Sequence, residues 1–589
     1  MFRKKKRLED LPRKNVTLDD LREFPEMTSW FSPSLLFKLL WRVIVSDLFG
    51  QYADRRLIEA ALDPASLQEI QTRDDLTKKL PQDNHGAVWI DFVADLGDGF
   101  DATYAVAYLL AQPQLDVDGE TLPRGGALFM GGDEVYPTSG RYDYIAKMRL
   151  PYEFALPSQP KSSQHPPIFA IPGNHDWYDG LVNFLAFFAR EKSTSIGNWR
   201  TQQKRSYFAA KINENCWLWA IDIALVADMD QPQANYFVAA AKDMPQGANI
   251  ILCSAEPGWY KVDSDSYRTL SYAANIAEGA GKALRIPLVL SGDTHHYARY
   301  TSTHGTEYIT SGGGGAFLHG THQLPSEIEA EWLRYSNEKL VLQFCYPDQK
   351  ASRRLLKGDF CFPFLNYGFA LALGSIYAIA GYILSLVPRL DVAVVVFLIL
   401  ITGFVEYSSY QERNRNWLTV VLASVHAVVQ FCLLLFLTFL SVQFDSVLGS
   451  LRDQGPWWLW LLQFAIPMIF GGGVVAGFVF GANLYFTCRY AGMNSNDAFS
   501  AMRLDAYRNF LRLRIVGDQI TVYPIGIDKV PTRNEWRDNE DAEHDPAISR
   551  FLPPESFAIR LIEKPIIISG SQSAQTMDVR KPIDLPPKG

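Results

Sequence analysis

Ile168-Phe169-Ala170-Ile171-Pro172-Gly173-Asn174-His175-Asp176 is a short apolar run that ends in a polar cluster. The same pattern recurs on both sides of it. Ala127 to Met130 leads into Gly132-Asp133-Glu134-Val135-Tyr136, and Ile286 to Leu290 leads into Gly292-Asp293-Thr294-His295-His296-Tyr297. A fourth cluster, Asp95-Leu96-Gly97-Asp98, follows Ala87 to Ala94. Each apolar run reads as a buried strand. Strand ends carrying Asp, Asn and His are what an open α/β sheet needs to gather metal ligands at its carboxyl edge. Carboxylate, amide oxygen and imidazole suit Mn, Fe or Zn and are wrong for an all-thiolate site. The pattern points to a metal-dependent hydrolase.

From about Val88 to about His322 these motifs resemble the calcineurin-like metallophosphoesterase superfamily. Its pattern is D-x-H or D-x-G, then G-D, G-N-H-[DE], a lone His and G-H-x-H. Asp95-Leu96-Gly97 and Gly132 to Tyr136 look closest to its purple acid phosphatase style. The resemblance implies an α/β fold, a metallophosphoesterase-type α/β/β/α sandwich, with two divalent ions (Mn, Fe, Zn or Mg) as cofactors. The first metal would keep Asp95, a bridging Asp133 and His295. The second would keep Asp133 and Asn174, with Asp293 in place of one His. Where the family has its lone His the chain reads Ile250 to Pro257, with Ala255 at that position and Glu256 beside it. Two readings of the second site therefore stand. One is an oxygen-richer site, since Asp and Glu bind hard divalent cations; the other is a weakened or empty one.

The resemblance also implies the chemistry. A metal-bridging hydroxide attacks phosphorus in line, and the metals neutralise the phosphoryl oxygens. His175 would protonate the leaving oxygen, with Asp176 orienting its imidazole. Tyr136 is a metal ligand in the purple acid phosphatase style and otherwise packs beside the site. The glycine-rich stretch Ser311 to His322 adds His319 and His322 as candidates for metal or phosphate contact, set against a flexible surface loop with solvated histidines. His296 is a further candidate beside His295. Asp98 and Asp101 read either as extra ligands or as capping residues of the next helix.

Composition divides the chain. Its 589 residues predict more than one domain. The first part alternates like a soluble α/β protein, whereas Phe362 to Cys488 is dominated by long apolar runs. Spanning a bilayer takes ~20 apolar residues. Phe362 to Val387, Val392 to Tyr410, Trp417 to Phe444 and Gly455 to Cys488 meet that length. Pro467 and Gly471 to Gly473 predict a kink or re-entrant turn in the last run. Gly473, Gly477 and Gly481 form a small-residue face suited to close helix packing. Glu406 and His426 are the ionisable groups within these runs, read as packing or interfacial residues.

Basic residues flank the apolar region at Arg353, Arg354 and Lys357, at Arg413 and Arg415, and at Arg489, Arg503, Arg508, Arg512 and Arg514. Four spans with this pattern place the phosphoesterase domain and the C-terminus in the cytoplasm of a multi-pass membrane protein. No signal peptide is expected, because Leu8 to Leu21 is polar behind the basic Phe2 to Arg7. The six cysteines lack metal or disulfide spacing and read as reduced packing residues. A formal charge of −8 argues against a nucleic-acid partner.

The expected organisation is an N-terminal helical or interfacial segment (1–84), a metallophosphoesterase domain (85–350), about four transmembrane helices (360–488) and a small C-terminal α+β module (489–589) packing on the catalytic domain. Within the first, Trp30 to Phe49 approximates an amphipathic helix, lying in the membrane interface or packed on the domain. Within the last, Asp497 to Leu511 reads as a helix and Leu511 to Val516 with Ile520 to Ile527 as a hairpin around Gly517-Asp518. Phe557 to Ile562 reads as a further strand, Thr532 to Asp545 as a loop and Thr576 to Gly589 as a tail.

Two functions are consistent with the sequence. One is a membrane phosphoesterase acting on a phosphomonoester or phosphodiester, lipid-linked or soluble, with the bilayer as its other partner. The other is a non-catalytic membrane sensor or scaffold that binds a phosphate or nucleotide in a degenerate site. His175 and Asp133 favour the first; Ala255 and Asp293 favour the second.

Overall fold

The computed structural model describes residues 16–38, 74–159, 165–190, 192–223, 229–260, 265–330, 338–411, 416–447, 451–545 and 547–569. The basic Phe2 to Arg7, the second half of the Trp30 to Phe49 segment and the Thr576 to Gly589 tail lie outside them. The chain divides into two compact units. One comprises Met1–Thr28, Val45–Asp348 and Asp505–Gly589; the other comprises Ser29–Ile44 and Gln349–Leu504.

In the first unit Val88–Val93, Ala127–Met130, Pro167–Ala170 and Trp199–Thr201 run parallel, in that order across one sheet. Apart from Asp91 in the first strand and Arg200 and Thr201 in the last, their side chains are apolar on both faces, as parallel strands buried on both sides require. A second sheet holds Cys216–Ile221, Asn249–Ser254, Arg285–Ser291 and Glu307–Ser311 in parallel. Antiparallel strands Phe208–Asn213, Tyr297–Ser302 and Glu338–Tyr346 extend it. The two sheets face each other across an apolar core in which Ile90, Phe92, Phe129 and Phe169 meet Leu218, Ile251, Leu288 and Leu290. Phe100–Ala111 packs on the outer face of the first sheet. Gln231–Asp243 and Asp265–Gly279 belong to the core of the second. This is the expected α/β/β/α sandwich.

The C-terminal segment departs from expectation. It is not a module beside the domain: Ala506–Val516 pairs antiparallel with Val88–Val93, so its strands are part of the first sheet. Asp91, the one charge in an otherwise apolar strand, sits directly across from Arg512. The guanidinium grips the carboxylate through Nε at 2.7 Å and Nη2 at 3.0 Å, and its Nη1 donates to the Leu122 carbonyl. Gln519–Lys529 completes the hairpin, turning at Gly517, and Arg560–Leu561 and Ile566–Ile568 pair along it. The helix expected over Asp497 to Leu511 is Ser495–Met502 alone, because strand alternation takes over at Ala506. The stretch Thr532 to Asp545 carries a helical turn at Arg533–Glu535, a short strand Arg537–Asp538 and another turn at Asp541–His544.

The second unit is a helical bundle. Tyr367–Leu386, Leu390–Ser409, Trp417–Val447 and Trp457–Ala491 are long and apolar enough to cross a membrane. The last is one continuous helical stretch with a π-helical turn at Met468–Gly472, where the proline and glycines predicted a kink. Its glycine face lies against the chain around Asp359 to Ala370, close enough that a Cβ at Gly473 or Gly481 would meet a carbonyl oxygen. His426 is buried beside Gln430, whose side chain also meets the Tyr377 hydroxyl. Polar groups in the bundle thus face one another, as an apolar surround requires. Residues 33–38, from the segment read as amphipathic, are helical. All six cysteines are free.

Candidate active site

Asp95, Asp133 and Asp293 each follow a strand and each adopt the left-handed conformation, with φ of 60°, 53° and 67°. Aspartate enters that region more readily than larger side chains do. The sharp turn keeps each carboxylate at the sheet edge. The loops also brace one another: Asp95 N–H donates to the Gly132 carbonyl at 3.0 Å, and Leu96 N–H to the Asp133 carbonyl at 2.9 Å. The Asp293 N–H donates to both oxygens of Asp95, at 3.0 and 2.8 Å.

The centre of the site is the Tyr136 hydroxyl. It lies 2.8 Å from Asp95 Oδ1, 3.0 Å from Asp133 Oδ2 and 2.8 Å from His295 Nε2. His295 Nδ1 faces the Phe317 carbonyl at 2.8 Å, so Nδ1 carries the ring proton and Nε2 turns a lone pair to the centre. Three acceptors therefore meet a hydroxyl that has one proton to give. Burial, with Asp133 and Asp293 nearby, pushes the Asp95 carboxyl well above the usual range, and burial raises Asp133 to about 7. An array this rich in acceptors and negative charge fits a divalent cation, with Asp, His and Tyr oxygen and nitrogen as donors. Among the described residues, however, no three His, Cys, Asp or Glu side chains form a metal-ligand cluster. Asp95 Oδ1 and His295 Nε2 are 3.7 Å apart, and the tyrosine hydroxyl stands where they converge.

Other sequence-predicted residues are placed as follows. Asn174 is exposed, beside His175, whose N–H donates to Asp133 Oδ1 at 2.8 Å. Asp176 does not orient the imidazole. His175 Nδ1 faces the Pro137 carbonyl at 3.0 Å, while Asp176 binds the Tyr144 hydroxyl and the N–H groups of Gly173 and Glu134. A buried carboxylate at the foot of the loop satisfies backbone donors first. Burial also pushes His175 down to about 4 and Asp176 up to about 8. Ala255 lies against Gly132 and brings no donor to the site. Glu256 is half-buried and near enough to Asp133 to raise its carboxyl further.

The glycine stretch is not a surface loop. Ser311 to Leu318 is buried, Gly314 N–H donates to the Ala94 carbonyl, and Ala316 N–H donates to the Asp95 carbonyl. His319 stacks on His295 with ring centroids 4.1 Å apart. His322 is buried near Gln323, and His296 is a buried histidine that burial pushes down to about 3. Asp98 ties the fold together, accepting from the N–H groups of Thr28 and Phe317, and Asp101 holds the Arg533 guanidinium.

Two further groups lie near the site that the sequence did not mark as site residues. Glu134 is fully buried, and neither carboxylate oxygen has a hydrogen-bond partner among the described residues. Its signal was an acid where a strand-end loop turns inward. Arg508 is also fully buried, and its charge acts on Asp95, Asp98 and His295.

Residues 88–297 match the family model of the calcineurin-like phosphoesterases. No curated protein matches the chain. The matched span contains Asp95, Asp133, Tyr136, Asn174, His175, Asp293 and His295, and it ends before the glycine loop and the Ala506–Val516 strand that complete the site. Over residues 88–297 the chain is thus similar to the calcineurin-like phosphoesterases, and the similarity is carried by this domain.

Proposed function

We propose that this protein is a membrane-embedded, metal-dependent phosphoesterase that cleaves a phosphomonoester or phosphodiester. The observation that carries the reading is the convergence of Asp95, Asp133 and His295 on the Tyr136 hydroxyl, inside a matched phosphoesterase domain. These four residues would hold one divalent ion; Asp133, Asn174 and Asp293 would supply a second. Bound there, such ions supply Lewis acidity that lowers the pKa of water and neutralises phosphoryl oxygens. The chain's own part is positional. The three left-handed turns and the loop-to-loop hydrogen bonds fix the carboxylates before substrate arrives. His175 holds its Nδ1 proton on the Pro137 carbonyl, so Nε2 would serve as general acid only as the imidazolium, a form that burial disfavours and the negative charge of a bound phosphoester would favour.

One observation favours a second reading, phosphate binding without turnover: Ala255 leaves the strand end beside Gly132 without a donor. Hydrolysis of a generic phosphodiester and a generic phosphomonoester by the detergent-purified full chain separates the two. Turnover that appears with added Mn²⁺ and disappears with chelator is expected. His175→Ala should slow a poor leaving group more than a good one. Phosphate binding with no Mn²⁺-dependent turnover on either ester would establish the second reading instead.

Strand pairing supports one reading of membrane topology. Val88–Val93 and Ala506–Val516 are neighbours in one sheet, so a chain that leaves after Asp348 and returns by Asp505 regains the side it left. An even number of spans is the reading this supports, in keeping with the four apolar helices. Arg508 and Arg512 are buried in the fold and drop out of the flanking charges, while Arg353, Arg354, Lys357, Arg489 and Arg503 still favour a cytoplasmic domain. In a cysteine-free background, cysteines placed at Lys350 and Tyr490 should react with an impermeant thiol reagent from one side of a sealed vesicle, and one at Arg389 from the other. Labelling of positions 350 and 490 from opposite sides would refute even parity.

A further inference from the structure

The glycine loop after Ser311 lies between the acidic centre and the strand that follows the membrane helices. On one side, a Cβ at Gly312 would collide with Asp95 Oδ2 and the His295 backbone. On the other, a Cβ at Gly313 would collide with the backbone nitrogen and the amide of Asn509. Only glycine permits both approaches. Asn509 is fully buried and grips the loop twice. Its N–H donates to the Gly313 carbonyl at 3.2 Å, and its Oδ1 accepts from the Ser311 hydroxyl at 2.8 Å. The same loop orients the site, through Ala316 N–H on the Asp95 carbonyl at 2.9 Å and the Phe317 carbonyl on His295 Nδ1 at 2.8 Å.

We infer that Asn509 is a positioning residue of the phosphoesterase centre, acting through the glycine loop on Asp95 and His295. It lies outside the family-matched span and close behind Leu504, the last residue of the helical unit. The site is thus completed by a strand that the chain makes only after its membrane segment. Groups that orient metal ligands from behind are worth roughly 10–100-fold in metal affinity or activity when removed. The inference rests on the proposed metal-dependent reading, and its test separates the two.

The test is Mn²⁺ binding by calorimetry, with kcat, KM and melting temperature, for the full-length wild type, Asn509→Ala, Ser311→Ala and the double variant. Asn509→Ala should weaken Mn²⁺ binding and lower kcat, each by about tenfold or more, with KM little changed. Both single variants remove the Ser311–Asn509 bond and leave the Asn509 N–H on the Gly313 carbonyl; Asn509→Ala also removes the amide packed against Gly313, so Ser311→Ala should move both quantities the same way by less. The double variant should be no worse than Asn509→Ala, since both changes remove one shared bond. If Asn509→Ala fails to fold, Ser311→Ala alone decides. Variants that melt lower yet bind Mn²⁺ and turn over like wild type would reduce Asn509 to a packing role and overturn the inference. A wild type that binds no Mn²⁺ would overturn the metal-dependent reading and this inference together.

Discussion

Asp133→Asn should lower phosphoester turnover by more than about a hundredfold and leave the fold intact. Loss of a group that merely orients a ligand already costs roughly 10–100-fold, and Asp133 is the carboxylate that both candidate metal positions share. The substitution is nearly isosteric, and asparagine enters the left-handed region that Asp133 occupies at φ 53° as readily as aspartate does. Its carbonyl oxygen can still accept from the His175 N–H, and its amide can donate to the Tyr136 oxygen where the carboxylate accepted. It also removes one negative charge from a buried cluster that includes Asp95, Glu134 and Asp176. In chelator, the melting temperature of the variant should therefore equal or exceed that of the wild type. Lost activity together with a lowered melting temperature would make Asp133 a structural residue and remove the main support for a catalytic centre.

What could be read from the sequence were features encoded locally. Apolar runs ending at Asp95, Asp133, Asn174 and Asp293 announce strand-end loops, because strand, turn and ligand are neighbours in the chain. The four apolar helices are equally local, set by length and hydropathy. What escaped was pairing at a distance. The alternation from Leu511 to Ile527 signals a hairpin, but nothing in it says which edge the hairpin joins, since any half-buried edge accepts the same period. Asp91 looked like a flaw in an apolar strand, because the guanidinium that satisfies it lies 421 residues away. For the same reason Arg508 and Arg512 read as membrane-flanking charges, although both are buried. The error over Asp176 was of another kind. Adjacency to His175 suggested contact, whereas the turn after Gly173 directs the carboxylate to backbone N–H groups and Tyr144.

That distant pairing sets the second large effect. Arg512→Ala should destabilise the phosphoesterase domain by about 3–5 kcal/mol, the cost of leaving a buried charge without its partner. Asp91 is 2 % exposed and Arg512 fully buried, so water cannot replace the lost guanidinium. Among the described residues the carboxylate would keep the Gly125 N–H, at 3.1 Å, and the more distant charge of Arg124. Because Asp91 and Arg512 are direct cross-strand partners, the damage falls on the junction between the Val88–Val93 strand and the hairpin made after the membrane helices. Amide hydrogen exchange at Ile90 to Phe92 should accelerate in the variant, while exchange in the bundle helix Trp417–Val447 stays unchanged. Replacing both partners by apolar residues, Asp91→Leu with Arg512→Met, should recover most of the loss, since the penalty comes from the orphaned charge rather than from the missing attraction. A single variant that exchanges like wild type would mean that the hairpin is held by packing of Leu511, Leu513 and Ile515 alone, and that the ion pair only fixes its register. The double variant carries the stronger argument. If it restores stability but turnover stays low, the sheet tolerates the hairpin without the pair while the site does not, and register at Asn509 becomes the feature on which catalysis depends.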